Sequence, residues 1–267
     1  MRLPTPSQDE SLGKGGVVGI QHLEGHVFGS NGVKLLSKSK ILLVESSAKA
    51  KLQTWLSRDG EQQVLWISSP FEPQYQSTAR TASLAVVATA HSLDAPLISH
   101  FCEKPRKGTE TRAEDNEKAG LIGLVYSLIL QLVQLGSDTS HLTINDERFA
   151  KLDGRAESWP VSLSLLEDLL QTITSLQYCV IHGLNDLESA EGYNWCLELT
   201  NILLKYQRDG YNILFSTTGQ SRVLSKSVQF TNRFVLVKAK GDVQKRGKRL
   251  DNYARTSSCG ASPRDAN

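Results

Sequence analysis

A chain of 267 residues with 39% hydrophobic side chains is long enough to bury one substantial core, and its 30 basic and 28 acidic residues leave a formal charge of +2. So even a balance argues against nucleic acid or an acidic membrane surface as a partner. Cys102, Cys179, Cys196 and Cys259 form no CxxC pair, which argues against a zinc knuckle or a disulfide framework and for reduced thiols.

Residues Met1 to about Asn31 are rich in Gly, Ser and Pro without a hydrophobic period, and are expected to be irregular. Their polar start lacks the continuous apolar region of a signal peptide. Gly13 to Gly19 reads as linker, because no strand precedes its glycines. His22 and His26 are the one histidine pair at helical metal-binding spacing, but they fall in this segment, so no metal site is expected. Ile41 to Val44 is a short apolar run. Ser46 or Ser47 caps a helix from Ala48 to Leu56, which Asp59-Gly60 stops.

Val64-Leu65-Trp66-Ile67 is a continuous apolar run followed by turn residues, the pattern of a strand buried on both faces. An Ala-rich helix follows from Ser77 to Ala90, then a second strand from Leu97 to Cys102. The charged stretch Glu103 to Lys118 reads as a solvated loop. Leu121 to Leu135 is interrupted by Ser127 and Gln131 and falls short of the ~20 residues that span a bilayer, so a core helix is expected there. Gly136 to Pro160 is a polar connection with a short helix near Asp146 to Leu152. Ser162 or Ser164 opens an amphipathic helix that carries Leu163, Leu166, Leu169, Leu170 and Ile173 at helical spacing. Tyr178 to Ile181 is a third strand, Trp195 to Gln207 a helix, Tyr211 to Phe215 a fourth strand and Phe234 to Val237 a fifth. Beyond these, Lys245-Arg246-Gly247-Lys248-Arg249 begins a basic tail, which reads as solvated chain or as a nuclear-localisation patch.

Short apolar strands alternating with helices predict an α/β fold, a three-layer α/β/α arrangement around a five-stranded, mainly parallel sheet. Such a sheet presents its working loops at the carboxyl ends of the strands.

Three segments at those ends carry a resemblance. Thr54-Trp55-Leu56 with Val64-Leu65-Trp66-Ile67, then Leu176-Gln177-Tyr178-Cys179-Val180-Ile181-His182-Gly183-Leu184-Asn185-Asp186-Leu187-Glu188, then Asn212-Ile213-Leu214-Phe215-Ser216-Thr217-Thr218 are similar, in this order, to the Walker A approach, Walker B segment and sensor strand of STAND-class P-loop NTPases. The NACHT-type modules common in fungal proteins are the nearest likeness, over about residues 52–237. The resemblance implies a flexible segment at 1–40, a P-loop NTPase-like domain at 41–240 and a disordered basic tail at 241–267.

The residues that would do the chemistry depart from the family. A phosphate cradle uses glycines whose N–H groups turn inward, a lysine on the outer phosphates and a hydroxyl on magnesium. Here Pro70 and Pro73 remove donors, no Gly or Lys lies between Ile67 and Ala79, and Gln76 stands at the lysine position after Tyr75. By resemblance, Ser69, Gln76, Ser77 and Thr78 match the nucleotide-binding loop, and His182 and Asp186 match the Walker B acids. Ser77 or Thr78 reads otherwise as a helix N-cap, and Asp186 as a loop carboxylate or a weak base. His182 replaces a carboxylate that holds hydrated magnesium, a poor exchange for an oxygen-seeking cation. Thr218 takes the place of the sensor arginine, with Arg222 nearby. The expectation is a non-hydrolysing interaction or regulatory scaffold with a protein partner, in the cytoplasm or the nucleus. No cofactor is expected beyond weakly held ATP or GTP; the alternative is an NTPase switch with atypical ligands.

Overall fold

A computed structural model of the chain describes residues 20–37, 44–57, 63–70, 77–106, 115–136 and 147–236. Five strands, β1 (Val64–Ser69), β2 (Leu97–Phe101), β3 (Tyr178–His182), β4 (Asn212–Thr218) and β5 (Arg233–Val235), form one sheet in the order β2-β3-β4-β1-β5. Every neighbouring pair is parallel. All six residues of β1 are buried, with Val64 and Trp66 in one core and Leu65 and Ile67 in the other. A strand covered on both sides has no polar face to show, which is why Val64 to Ile67 is uninterrupted apolar sequence.

Helices α1 (Gly32–Leu36), α2 (Ser46–Leu56) and α3 (Thr78–Ser92) cover one face of the sheet. The other is covered by α4 (Asn116–Gly136), α5 (Glu147–Ala150), α6 (Trp159–Thr172), α7 (Tyr193–Lys205) and α8 (Arg222–Ser227). The α/β/α arrangement is therefore as the alternation of strands and helices predicts. Helix α4 has the length and hydropathy of a membrane span, yet it lies inside the fold with Leu121, Leu124, Val125, Leu128 and Leu132 fully buried. Its Gln131 serves the open edge of β2: Oε1 accepts from Ser99 N–H at 2.9 Å and Nε2 donates to Ser99 C=O at 3.0 Å. One amide thus does for Ser99 what a further strand would do.

Several boundaries differ from expectation. The N-terminal stretch read as irregular is packed from Ile20 onward, with a 3-10 turn at Gln21–His26 that buries Leu23 completely. The cause is a long-range contact. A Cβ at Gly123 of α4 would lie 2.6 Å from Phe28 N and 2.8 Å from His26 O, so only glycine lets this segment rest on the helix. Ser30 then bridges antiparallel to Phe101, and Phe28 C=O meets His100 Nε2 at 3.0 Å. Helix α6 starts at Trp159 rather than at Ser162 or Ser164, since Pro160 fits a first turn and Trp159 is fixed by stacking on Trp195 at 4.4 Å. Helix α7 is shifted two residues toward the N-terminus of its expected span. Strand β5 begins one residue early, at Arg233; Val237 and the basic cluster from Lys245 lie outside the described residues.

Candidate functional site

The chain leaves β1 onto the α3 face but leaves β4 onto the opposite face, so the connections of these neighbouring strands diverge at their carboxyl ends. In open parallel sheets such a switch point is where ligands sit. Ser69 and Thr218 are in register there, and Gly219 N–H closes the pair by donating to Ser69 C=O at 2.7 Å. Ser69 is 2% exposed and its hydroxyl has no hydrogen-bond partner. Ser77 is the N-cap of α3: its Oγ accepts from Arg80 N–H at 3.1 Å. Thr78 is the first residue of that helix. Gln76, with Phe71, Pro73 and Tyr75, lies outside the described residues.

His182 closes β3 in a cross-strand row with Phe101, Ser216 and Ile67. Its Nδ1 is 2.8 Å from Ser216 Oγ, which is 2.5 Å from Ser83 Oγ on α3. This chain of two hydroxyls and an imidazole is sealed: Ser83 and Ser216 are fully buried and His182 is 1% exposed. Burial, reinforced by the charge of Arg80, lowers the His182 pKa to about 3, so the ring is neutral near pH 7. Arg80 is itself buried in the first turn of α3, its guanidinium 5.1 Å from the centre of the Phe101 ring, against which His182 also packs.

These residues do not fit a hydrated magnesium ion. The group at the end of β3 is a neutral imidazole already bonded to Ser216, its other nitrogen is buried without a partner, and the nearest charge acting on it is a cation. Nor is the Ser216–His182 pair a hydrolytic dyad, since no substrate reaches a hydroxyl enclosed on every side. Asp186 stands apart from both. Its carboxylate lies over Gly183, and its charge, after burial, helps raise the pKa of Cys102 just beyond β2. Strand β4 separates that position from β1.

The loops at the carboxyl ends of the strands are fastened by two carboxylates that sequence reading did not single out. Glu188, after β3, accepts from Ser221 Oγ at 2.6 Å, Arg222 N–H at 2.7 Å and Val223 N–H at 3.2 Å, capping α8. Arg222 returns a bond to Glu188 C=O at 2.6 Å and lies over the Tyr193 ring, so it is engaged within the loops. Asn185 Nδ2 adds a bond to Thr218 C=O at 2.9 Å. On the other side Glu117, at the start of α4, accepts from Lys104 Nζ and Ser189 Oγ. Burial pushes the Glu117 pKa up, but these bonds and the Lys104 charge outweigh it and hold the carboxyl below its ordinary value. Glu117 sits in a charged stretch and was read as solvated loop; the apolar run starting four residues later was the available sign that it enters a helix. For Ser83 the sign was position, since it shares the buried face of α3 with Ala79, Val86, Val87 and Ala90, where a hydroxyl needs a partner.

Cys179 is fully buried and burial pushes its pKa up to about 12, an unreactive thiol. Among the described residues no group of three His, Cys, Asp or Glu side chains converges on a metal position.

No family model matches the sequence, and no curated protein matches it. Among solved structures the chain is similar to one described as the structure of Drosophila ORC bound to AT-rich DNA and Cdc6, with a TM-score of 0.39 and 11% identity over 94% of this chain. The match spans 38% of the length of that protein. The architecture itself is a five-stranded, all-parallel sheet with helices on both faces.

Proposed function

We propose that this chain is a degenerate P-loop module of the STAND or NACHT kind, which serves as a non-hydrolysing scaffold for a protein partner in the cytoplasm. The observation that carries the reading is His182: at the place where the resemblance calls for a metal-binding carboxylate there is a neutral, enclosed imidazole bound to Ser216. Phosphoryl transfer depends on positioned charge, and removing one such group costs roughly 3 kcal/mol of transition-state stabilisation. Here the lysine and the metal carboxylate are both replaced. The latching of the strand-end loops through Glu188 and Glu117 supports the same view, because a nucleotide switch works by loops that change position.

A second reading, an ATP- or GTP-binding module with atypical ligands, is favoured by one feature. Helix α3, N-capped by Ser77, follows β1 in the chain, and β1 ends on Ser69, whose buried hydroxyl is unpartnered. Thermal melts of the full chain with ATP or GTP, with and without magnesium, separate the two. Ligand at a hundredfold its Kd adds about 2.7 kcal/mol to stability. The scaffold reading expects an unchanged Tm at millimolar nucleotide in both conditions, and a magnesium-dependent rise would refute it.

A further inference from the structure

We propose that Ser189 is a phosphorylation site for an acid-directed serine/threonine kinase, and that the modification unlatches the loop after β3 from helix α4. Ser189 is exposed, while its hydroxyl is turned inward onto Glu117 Oε2. The other oxygen of that carboxylate takes Lys104 Nζ, so the two donors share one buried acceptor. A change of χ1 rotamer is enough to turn the hydroxyl outward. Of the acidic flanks, Glu191, two residues after the serine, is exposed and Asp186, before it, is half-buried, while Glu188 is held against α8. They suit a kinase whose peptide groove is basic and oppose one whose groove is acidic.

In the reaction Ser189 Oγ bonds to the γ-phosphorus of a nucleoside triphosphate. The bond from that phosphorus to the bridging oxygen breaks, the nucleoside diphosphate leaves, and the hydroxyl proton passes to the kinase base. The product takes this donor away from Glu117, because the outward-turned group, of charge about −1.5 to −2, cannot fold back onto the carboxylate. Glu117 is 4% exposed and cannot turn to solvent. The phosphate also competes for Lys104, which already reaches the same carboxylate, and the buried Glu117 charge is left with the Gly192 backbone N–H as its donor.

The strain falls on a tightly closed loop. Tyr193 N–H bonds Ser189 C=O at 3.0 Å, and a Cβ at Gly192 would lie 1.9 Å from Leu187 O and 3.4 Å from Glu117 Cβ. The segment from Leu187 to Gly192 therefore has no slack to absorb repulsion, and it yields by leaving α4. Since Glu188 in the same segment caps α8, loosening spreads to the loop after β4. This inference stands whether or not a nucleotide binds to the chain.

The test begins with the full chain, Mg-ATP and an acid-directed kinase, followed by phosphopeptide mapping. Phosphate on the peptide containing Ser189, lost in Ser189→Ala, is expected; no phosphate there overturns the proposal. The consequence is read by thermal melts and amide exchange over residues 115–118 and 184–192. Ser189→Asp should lower Tm by about 2–4 °C and speed exchange in both segments, while Ser189→Ala does less. Adding Glu117→Gln to Ser189→Asp should recover most of the loss, because the repelling charge is gone. A Ser189→Asp protein that melts and exchanges like wild type, or a loss that Glu117→Gln leaves in place, contradicts the unlatching.

Discussion

The two faces of the sheet solve the problem of burial differently. On the α4 face, long leucine-rich helices stand off from the strands and fill the gap with large side chains, Leu124, Leu128, Leu166 and Leu170 among them. On the α3 face the helix is built of Ala79, Ala82 and Ala90 with Ser83 between them, and comes close enough for Ser83 to touch Ser216 across the interface. Large side chains give the first face its stability. Small ones give the second face a place where hydroxyls and an imidazole can be buried with partners, near the carboxyl ends of β3 and β4.

The faces should fail in opposite ways. Leu128→Ala opens a cavity on the α4 face and is expected to cost about 2–5 kcal/mol in a denaturant titration. On the α3 face Ala82→Leu adds bulk where none fits, with an expected loss of about 1–3 kcal/mol from overpacking. If truncation at Leu128 and enlargement at Ala82 were both harmless, the contrast between the faces would be void.

Ser216→Ala sharpens the comparison. It strips the acceptor or donor from His182 and Ser83 together, and each buried group left unmatched costs about 1–3 kcal/mol. Adding Ser83→Ala should then cost less than it does alone, a coupling measurable by a double-mutant cycle. Additive losses would mean that the hydroxyls do not act as one chain.

A smaller and pH-dependent effect comes from the rings. Burial lowers the His100 pKa to about 4 and that of His182 to about 3, against 6.5 for an ordinary histidine. Below pH 6.5 the unfolded chain takes up protons that the folded chain refuses, so stability falls as pH drops from 6.5 toward about 4 for His100 and about 3 for His182. His182→Gln should flatten this slope between pH 7 and pH 5, where the carboxylates add little. An unchanged slope would show that His182 is charged or exposed.

Much of this fold was legible because it rests on local pattern. Val64 to Ile67 and Tyr178 to Ile181 could only be buried strands, and Leu163 to Leu170 only an amphipathic helix. The segment around Leu23 was not legible, because its order comes from Gly123 about a hundred residues on. Of the candidate site, His182 was visible as a departure from a motif, and Ser77 as a cap. The chain from Ser83 through Ser216 to His182 was hidden, since serines on a helix and a strand announce no partner until topology brings them together. Glu188 was hidden for the same reason: a carboxylate that caps a distant helix looks, in sequence, like any surface acid.

The most direct test of the central claim is phosphate release from Mg-ATP and Mg-GTP by the purified full chain beside Asp186→Ala. Asp186 is half-buried in the turn after β3 and is the carboxylate that the proposed reading leaves as a candidate base, so the substitution removes it without touching the core. Equal release from the two proteins, at the level of buffer alone, is the predicted result. Release that the wild-type chain sustains and Asp186→Ala abolishes would contradict it.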